Sequence, residues 1–136
     1  MTVVRRIFLL RALLLTLVIA AGLAIRALTP GEDIPFFVWK YAGSALWATA
    51  VALAVAILTP RARLASRLAI AALIALAVEF SRLIDWPPLD AFRATLAGKL
   101  LLGRVFSLWN IVAYAAGIAF GAALDAGLWR RTATRA

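Results

Sequence analysis

The chain has 136 residues, 65% of them hydrophobic and only 15% charged, with a mean hydropathy of +0.98. Soluble domains run nearer about 45–50% apolar and about 25% charged, and a water-soluble fold of this length has nowhere to bury so much apolar surface. The composition therefore predicts an all-α integral membrane protein. There is no cysteine and no histidine, which excludes disulfides, thiolate metal sites, the usual zinc ligand and the usual general base. No metal, cofactor or catalytic residue is expected. Fifteen Lys and Arg against six Asp and Glu give +9. These charges sit where apolar runs end, so they read as determinants of membrane topology and not as a nucleic-acid surface.

A spanning helix needs about 20 mostly apolar residues. The first such run covers about 7–28, interrupted by Arg11 and Arg26 near its ends, where a long side chain can snorkel. It is longer than the apolar core of a signal peptide, roughly 7–15 residues, so it is read as a retained helix, with a cleaved signal as the alternative. The second run, about 40–58, stops at Thr59-Pro60. The third, about 68–84, carries Glu79 and Arg82.

Asp85-Trp86-Pro87-Pro88 then breaks the helix, and Leu89, Phe92 and Leu96 recur at helical spacing. A short interfacial helix is predicted over about 89–97, with Asp90 and Arg93 turned away from its apolar face and Gly98 ending it in the left-handed conformation. Whether residues 98–104 re-enter the bilayer stays open. The fourth run covers about 105–126. Four spans and one short helix leave little over, so residues 1–136 are read as a single multi-pass domain.

With four spans both termini share one side. Nine Lys and Arg with one acid, Asp125, give that side +8, and six Lys and Arg with five acids give the other +1. Both termini are therefore expected in the cytoplasm. Phe36, Phe37, Trp39, Tyr41, Trp86, Phe106 and Trp109 mark the outer interface, and Trp129 the inner one.

Lipid supplies no hydrophobic force between helices, so small residues must permit close packing. Gly117 and Gly121 form a GxxxG in the fourth span, and Ala48, Ala52 and Ala56 make a similar stripe of small residues in the second. Packing within the chain is expected of them, with an oligomer as the alternative.

An ionisable residue inside a span is a functional hypothesis by default. Glu79 lies about six residues before Asp85, hence roughly 9 Å inside the outer boundary, with Arg82 one turn on. Lys40, Tyr41, Glu79, Arg82, Asp90, Arg93, Asn110 and Tyr114 are all expected on the outer half, where they can converge as a polar pocket, while the inner half reads as almost purely apolar. The competing reading of the same residues is that they only fasten helices.

Lys40-Tyr41-Ala42-Gly43-Ser44-Ala45-Leu46-Trp47, then Val78-Glu79-Phe80-Ser81-Arg82-Leu83, then Leu89 to Thr95 resemble a bacterial membrane family, that of domain of unknown function 2809. So do Leu102-Gly103-Arg104-Val105-Phe106, Asn110, Ala113-Tyr114 and Gly117. More distantly the chain looks like the VanZ-like proteins associated with glycopeptide tolerance. The family pattern favours an acid where this chain has Ser44, glutamine where it has Arg82 and an acid where it has Asn110, which weakens any proton-coupled role. Lys40, Glu79, Asp90, Arg93 and Tyr114 match it. The resemblance implies an address, the bacterial inner membrane, more than an activity.

Three functions compete at this level. One is a binding protein whose outer pocket takes a lipid headgroup or envelope precursor, with Lys40, Arg82 and Arg93 as cations and membrane lipids as partners. The second is a small dimeric transporter, although the four-helix multidrug carriers that it resembles in size place their glutamate in the first helix. The third is a structural or accessory subunit. An enzyme is disfavoured, because no nucleophile has a convincing activator.

Overall fold

The computed structural model describes residues 2–134; Arg135, counted in the charge split, lies outside them. Six helices follow in chain order: α1 Val3–Ala27, α2 Phe36–Leu58, α3 Leu64–Ser81, α4 Pro87–Ala94, α5 Leu96–Leu101 and α6 Leu108–Ala133. Of these, α1, α2, α3 and α6 are long and apolar enough to cross a membrane. Helix is the state such segments must take, because away from water only internal hydrogen bonds satisfy the backbone. The shortest, α3, has 18 residues and so a length of roughly 27 Å, close to the ~30 Å hydrocarbon core of a bilayer.

The helix ends shift from the hydropathy runs for local reasons. α1 starts at Val3, not near residue 7, because the Thr2 hydroxyl accepts the Arg5 N–H at 3.4 Å and caps it. α2 takes in the aromatic residues from Phe36 onward, directly after Pro35. α3 starts four residues earlier and ends three residues earlier than the 68–84 run. α6 begins after Ser107 and continues to Ala133 with Arg130 and Arg131 in its last turn, where cations complement the helix dipole.

The expectation of one helix over 89–97 is corrected to two. Thr95 is extended (φ −71°, ψ 160°), ends α4 and caps α5 by accepting the Gly98 N–H at 3.0 Å. Gly98 is therefore not a terminator. It sits inside α5 against the Phe92 carbonyl, where a Cβ would overlap. The left-handed glycine of this segment is Gly103, at φ 67°.

α2 is central and packs against α1, α3 and α6, while α1 and α3 flank it without touching each other. The core gathers Ala48 and Val55 of α2, Ala71 and Ala75 of α3, and Tyr114 and Ile118 of α6. Gly117 and Gly121 face α2. A Cβ on Gly117 would strike the Ala45 carbonyl, and one on Gly121 would come 2.9 Å from the Ala52 Cβ. The close approach is fastened by Thr49, whose buried hydroxyl lies 2.9 Å from both the Ala45 and the Gly117 carbonyl. The glycine stripe thus packs within the chain. Leu13, Leu17, Leu73 and Phe120 point outward, as lipid-facing side chains do.

Candidate functional site

Along one face of α6 stand Asn110, Tyr114, Gly117, Gly121 and Asp125, at steps of three or four residues. The glycines let α2 approach, and the polar residues at either end of the stripe enter two separate clusters. One lies at the far end of the bundle, with the α1–α2 loop and residues 82–107. The other lies at the terminal end, with Thr2 and the α2–α3 turn.

At the far end Glu79 is fully buried. Its Oε1 accepts the Ser107 backbone N–H at 2.7 Å, and its Oε2 accepts the Tyr114 hydroxyl at 2.8 Å. Asn110 Nδ2 donates to both oxygens, at 3.3 and 3.4 Å, and Arg82 pairs with Oε2 at 2.7 Å. Ser107 is the N-cap residue of α6 and Asn110 its third residue. Glu79 thus bonds the N–H that a glutamate in α6's own first turn would take in a capping box, and α3 supplies it. The carboxylate also complements the positive end of the α6 dipole. Asn110 Oδ1 in turn accepts from the Ser44 hydroxyl at 3.2 Å, tying α2 to the same knot.

The Arg82 guanidinium is spent as completely. It donates to the Leu102 carbonyl at 2.6 Å, the Val105 carbonyl at 3.1 Å and the Tyr114 hydroxyl at 3.0 Å. It thereby staples the 102–105 loop to the bundle. Gly103 makes room for it, since a Cβ there would lie 2.7 Å from Arg82 Nη2.

The remaining sequence candidates fall outside this knot. Arg93, expected with Asp90 on the polar face of the short helix, is buried. It donates to the Ser81 carbonyl, the last of α3, and, at 3.0 Å, to the Ile84 carbonyl in the turn that follows, and so ties α4 to the end of α3. Asp90 is half exposed and pairs with Arg93 at 2.9 Å. Lys40 lies 5.3 Å from the Tyr41 ring centroid, and Tyr41 reaches the knot only through the Ser107 hydroxyl, at 3.5 Å. Of the eight residues, Glu79, Arg82, Asn110 and Tyr114 come together directly.

The terminal end corrects the expectation of an apolar inner half. Arg11 is buried and grips Asp125 with two prongs, at 2.6 and 2.8 Å, while its third donor meets the Ala56 carbonyl at 2.8 Å. Arg67 adds a contact to Asp125 at 3.3 Å and covers the Thr59 and Pro60 carbonyls at the end of α2. Arg11 therefore does not snorkel. The usable signal was an acid in one apolar run and an arginine in another, each too costly to leave alone.

Between α1 and α2, on the far-end half, lies a cavity of about 510 Å³. Its long walls are apolar, built from such residues as Val18, Leu23, Leu46 and Val51, and α5 lies across its far end. Arg82 and Tyr114 form part of its wall, and Arg26 and Lys99 stand at the same end. Those two cations were missed as site residues because sequence spacing alone does not bring α1 and α5 together. Among the described residues no cluster of acids has metal-binding geometry.

The fold and its two buried ionic clusters define a four-helix, multi-pass α-helical membrane protein. A family model described as protein of unknown function, DUF2809, matches residues 34–118, and the chain belongs to that family. The match begins in the loop before α2 and ends within α6, so it includes every member of the far-end knot. Comparison with curated proteins and with solved structures gave no match.

Proposed function

We propose that the protein lies in the bacterial inner membrane with both termini cytoplasmic, and that its extracytoplasmic end binds the headgroup of a lipid or of a lipid-linked envelope precursor. The cavity between α1 and α2 carries the reading. Its volume of about 510 Å³ falls within the range of roughly 300–1,000 Å³ usual for small-molecule sites. Apolar walls with polar groups at one end suit an amphiphile lying parallel to the helices. In this reading Arg82 and Tyr114 form part of the wall and Glu79 and Asn110 hold it in shape from behind, because the hydrogen-bonding capacity of all four is spent on one another and on the backbone.

The test is native mass spectrometry of protein extracted gently from membranes, beside Ala50→Phe, which fills the middle of the cavity. Lipid adducts on the parent chain that fall away in Ala50→Phe support the reading. Identical adduct patterns for the two proteins, with both folded by circular dichroism, would sink it.

A further inference from the structure

The far end of the cavity is lined by two cations, Arg26 and Lys99, that are both exposed and that no acid of the described residues pairs with. Arg26, in the last turn of α1, has no carboxylate within ion-pair distance and no hydrogen-bond acceptor among the described residues. Its guanidinium lies 4.5 Å from the Trp39 ring centroid, and Gly43 leaves space for it, since a Cβ there would sit 3.0 Å from Arg26 Nε. The Trp39 indole N–H is itself buried without an acceptor. Lys99 reaches the same cavity from α5, likewise without an acid partner.

Four arginines that are buried or half-buried in the bundle behave differently. Arg11, Arg67, Arg82 and Arg93 each meet a carboxylate and at least one backbone carbonyl. Arg26 and Lys99 thus place positive charge with no carboxylate beside it at one end of an apolar cleft. An anion supplies the missing acceptors, and a guanidinium is well matched to the paired oxygens of a phosphate.

We infer that the cavity selects an amphiphile whose phosphate carries net negative charge, held between Arg26 and Lys99 with its acyl chain along the α1–α2 cleft. The inference rests on the reading that the cavity holds an amphiphile and adds the charge class and the two residues that read it. A zwitterionic head is disfavoured because its own cation would compete with Arg26 and Lys99 for the phosphate and stand beside them as a like charge.

The test offers purified, delipidated protein an equimolar mixture of phosphatidylglycerol and phosphatidylcholine and reads the ratio of the two adducts by native mass spectrometry. The parent chain should favour the anionic lipid by at least about tenfold, the scale of losing one or two charge-assisted hydrogen bonds. The double variant Arg26→Gln with Lys99→Gln should bring the ratio close to one while total lipid retention stays within about twofold, because the apolar walls are untouched. Arg104→Gln removes an exposed charge outside the cavity and should leave the preference in place.

An unchanged preference in the double variant, or equal retention of both lipids by the parent chain, overturns the inference and leaves the amphiphile reading standing. Lipid retention that is indifferent to Ala50→Phe brings down that earlier reading instead. Inorganic phosphate distinguishes the source of the anion. Displacement of phosphatidylglycerol by phosphate at equal concentration would assign the site to a soluble anion and overturn the amphiphile, whereas retention of the lipid supports it.

Discussion

Arg11 and Asp125, 114 positions apart, meet through two parallel hydrogen bonds of 2.6 and 2.8 Å inside the terminal end of the bundle. The pair joins the first spanning helix to the last, and Arg11 extends the link to α2 through the Ala56 carbonyl. A two-pronged guanidinium–carboxylate contact fixes orientation as well as distance. It therefore sets how α1 sits against the α2–α6 pair at this end, while at the other end α1 and α2 border the cavity.

Asp125→Asn should destabilise the fold by about 3–5 kcal/mol, since it leaves Arg11 buried without its counter-charge and strips Arg67 of its acid partner. Removing both members, as Arg11→Met with Asp125→Leu, should recover part of that loss, because no buried charge of the pair remains. Thermal unfolding in detergent, followed by circular dichroism, compares the three proteins. Equal stability of Asp125→Asn and the parent chain would mean the pair contributes nothing.

Glu79→Gln should also be read first in stability, with a loss of a few kcal/mol. The substitution keeps the side-chain shape but removes the charge that Arg82 pairs with at 2.7 Å. Arg82→Gln should cost a comparable amount and free the 102–105 loop, whose carbonyls it holds. A double variant less stable than the sum of the singles would contradict the coupling. Limited proteolysis at the loop gives an independent measure of its release.

Gly117→Leu should abolish folding or cost several kcal/mol, because any side chain there drives into the Ala45 backbone and not into a yielding side chain. Ala126→Leu, on the exposed face of the same helix, should stay within about 0.5 kcal/mol of the parent. The comparison is made on equal amounts of purified protein by detergent melting. Matching midpoints would place the glycine stripe at the lipid.

The proposed orientation is tested cheaply because the chain contains no cysteine. A membrane-impermeant maleimide applied to intact cells should label Glu32→Cys, in the α1–α2 loop, and should spare Arg63→Cys, in the α2–α3 turn, until the cells are opened. Both positions are exposed. The reverse pattern would invert the orientation drawn from the +8 and +1 split of charges.

The spans, the breaks at Thr59-Pro60 and Pro87-Pro88, and the glycine stripe on α6 were legible in the sequence because each follows from a local rule. A bilayer demands a minimum apolar length and an internally bonded backbone, proline interrupts that bonding, and a missing Cβ is visible as glycine. Glu79 was legible too, since a carboxylate in an apolar run needs a reason. Thr95 was a readable cap three residues before Gly98, outweighed by the longer apolar spacing of Leu89, Phe92 and Leu96.

Partnership was decided only in three dimensions. Whether Glu79 meets Arg82 and the start of α6, or Lys40 and Arg93, depends on which helix faces which and at what height. The same packing turns Arg93 onto the end of α3, brings Arg11 to Asp125, and leaves Arg26 and Lys99 facing a cavity without an acid between them. Hydropathy is a property of a segment and can be read along the chain. A pairing of charges belongs to two segments and their rotation about their own axes, and that rotation is set by the Gly117–Ala45 approach and its neighbours, which no single segment contains.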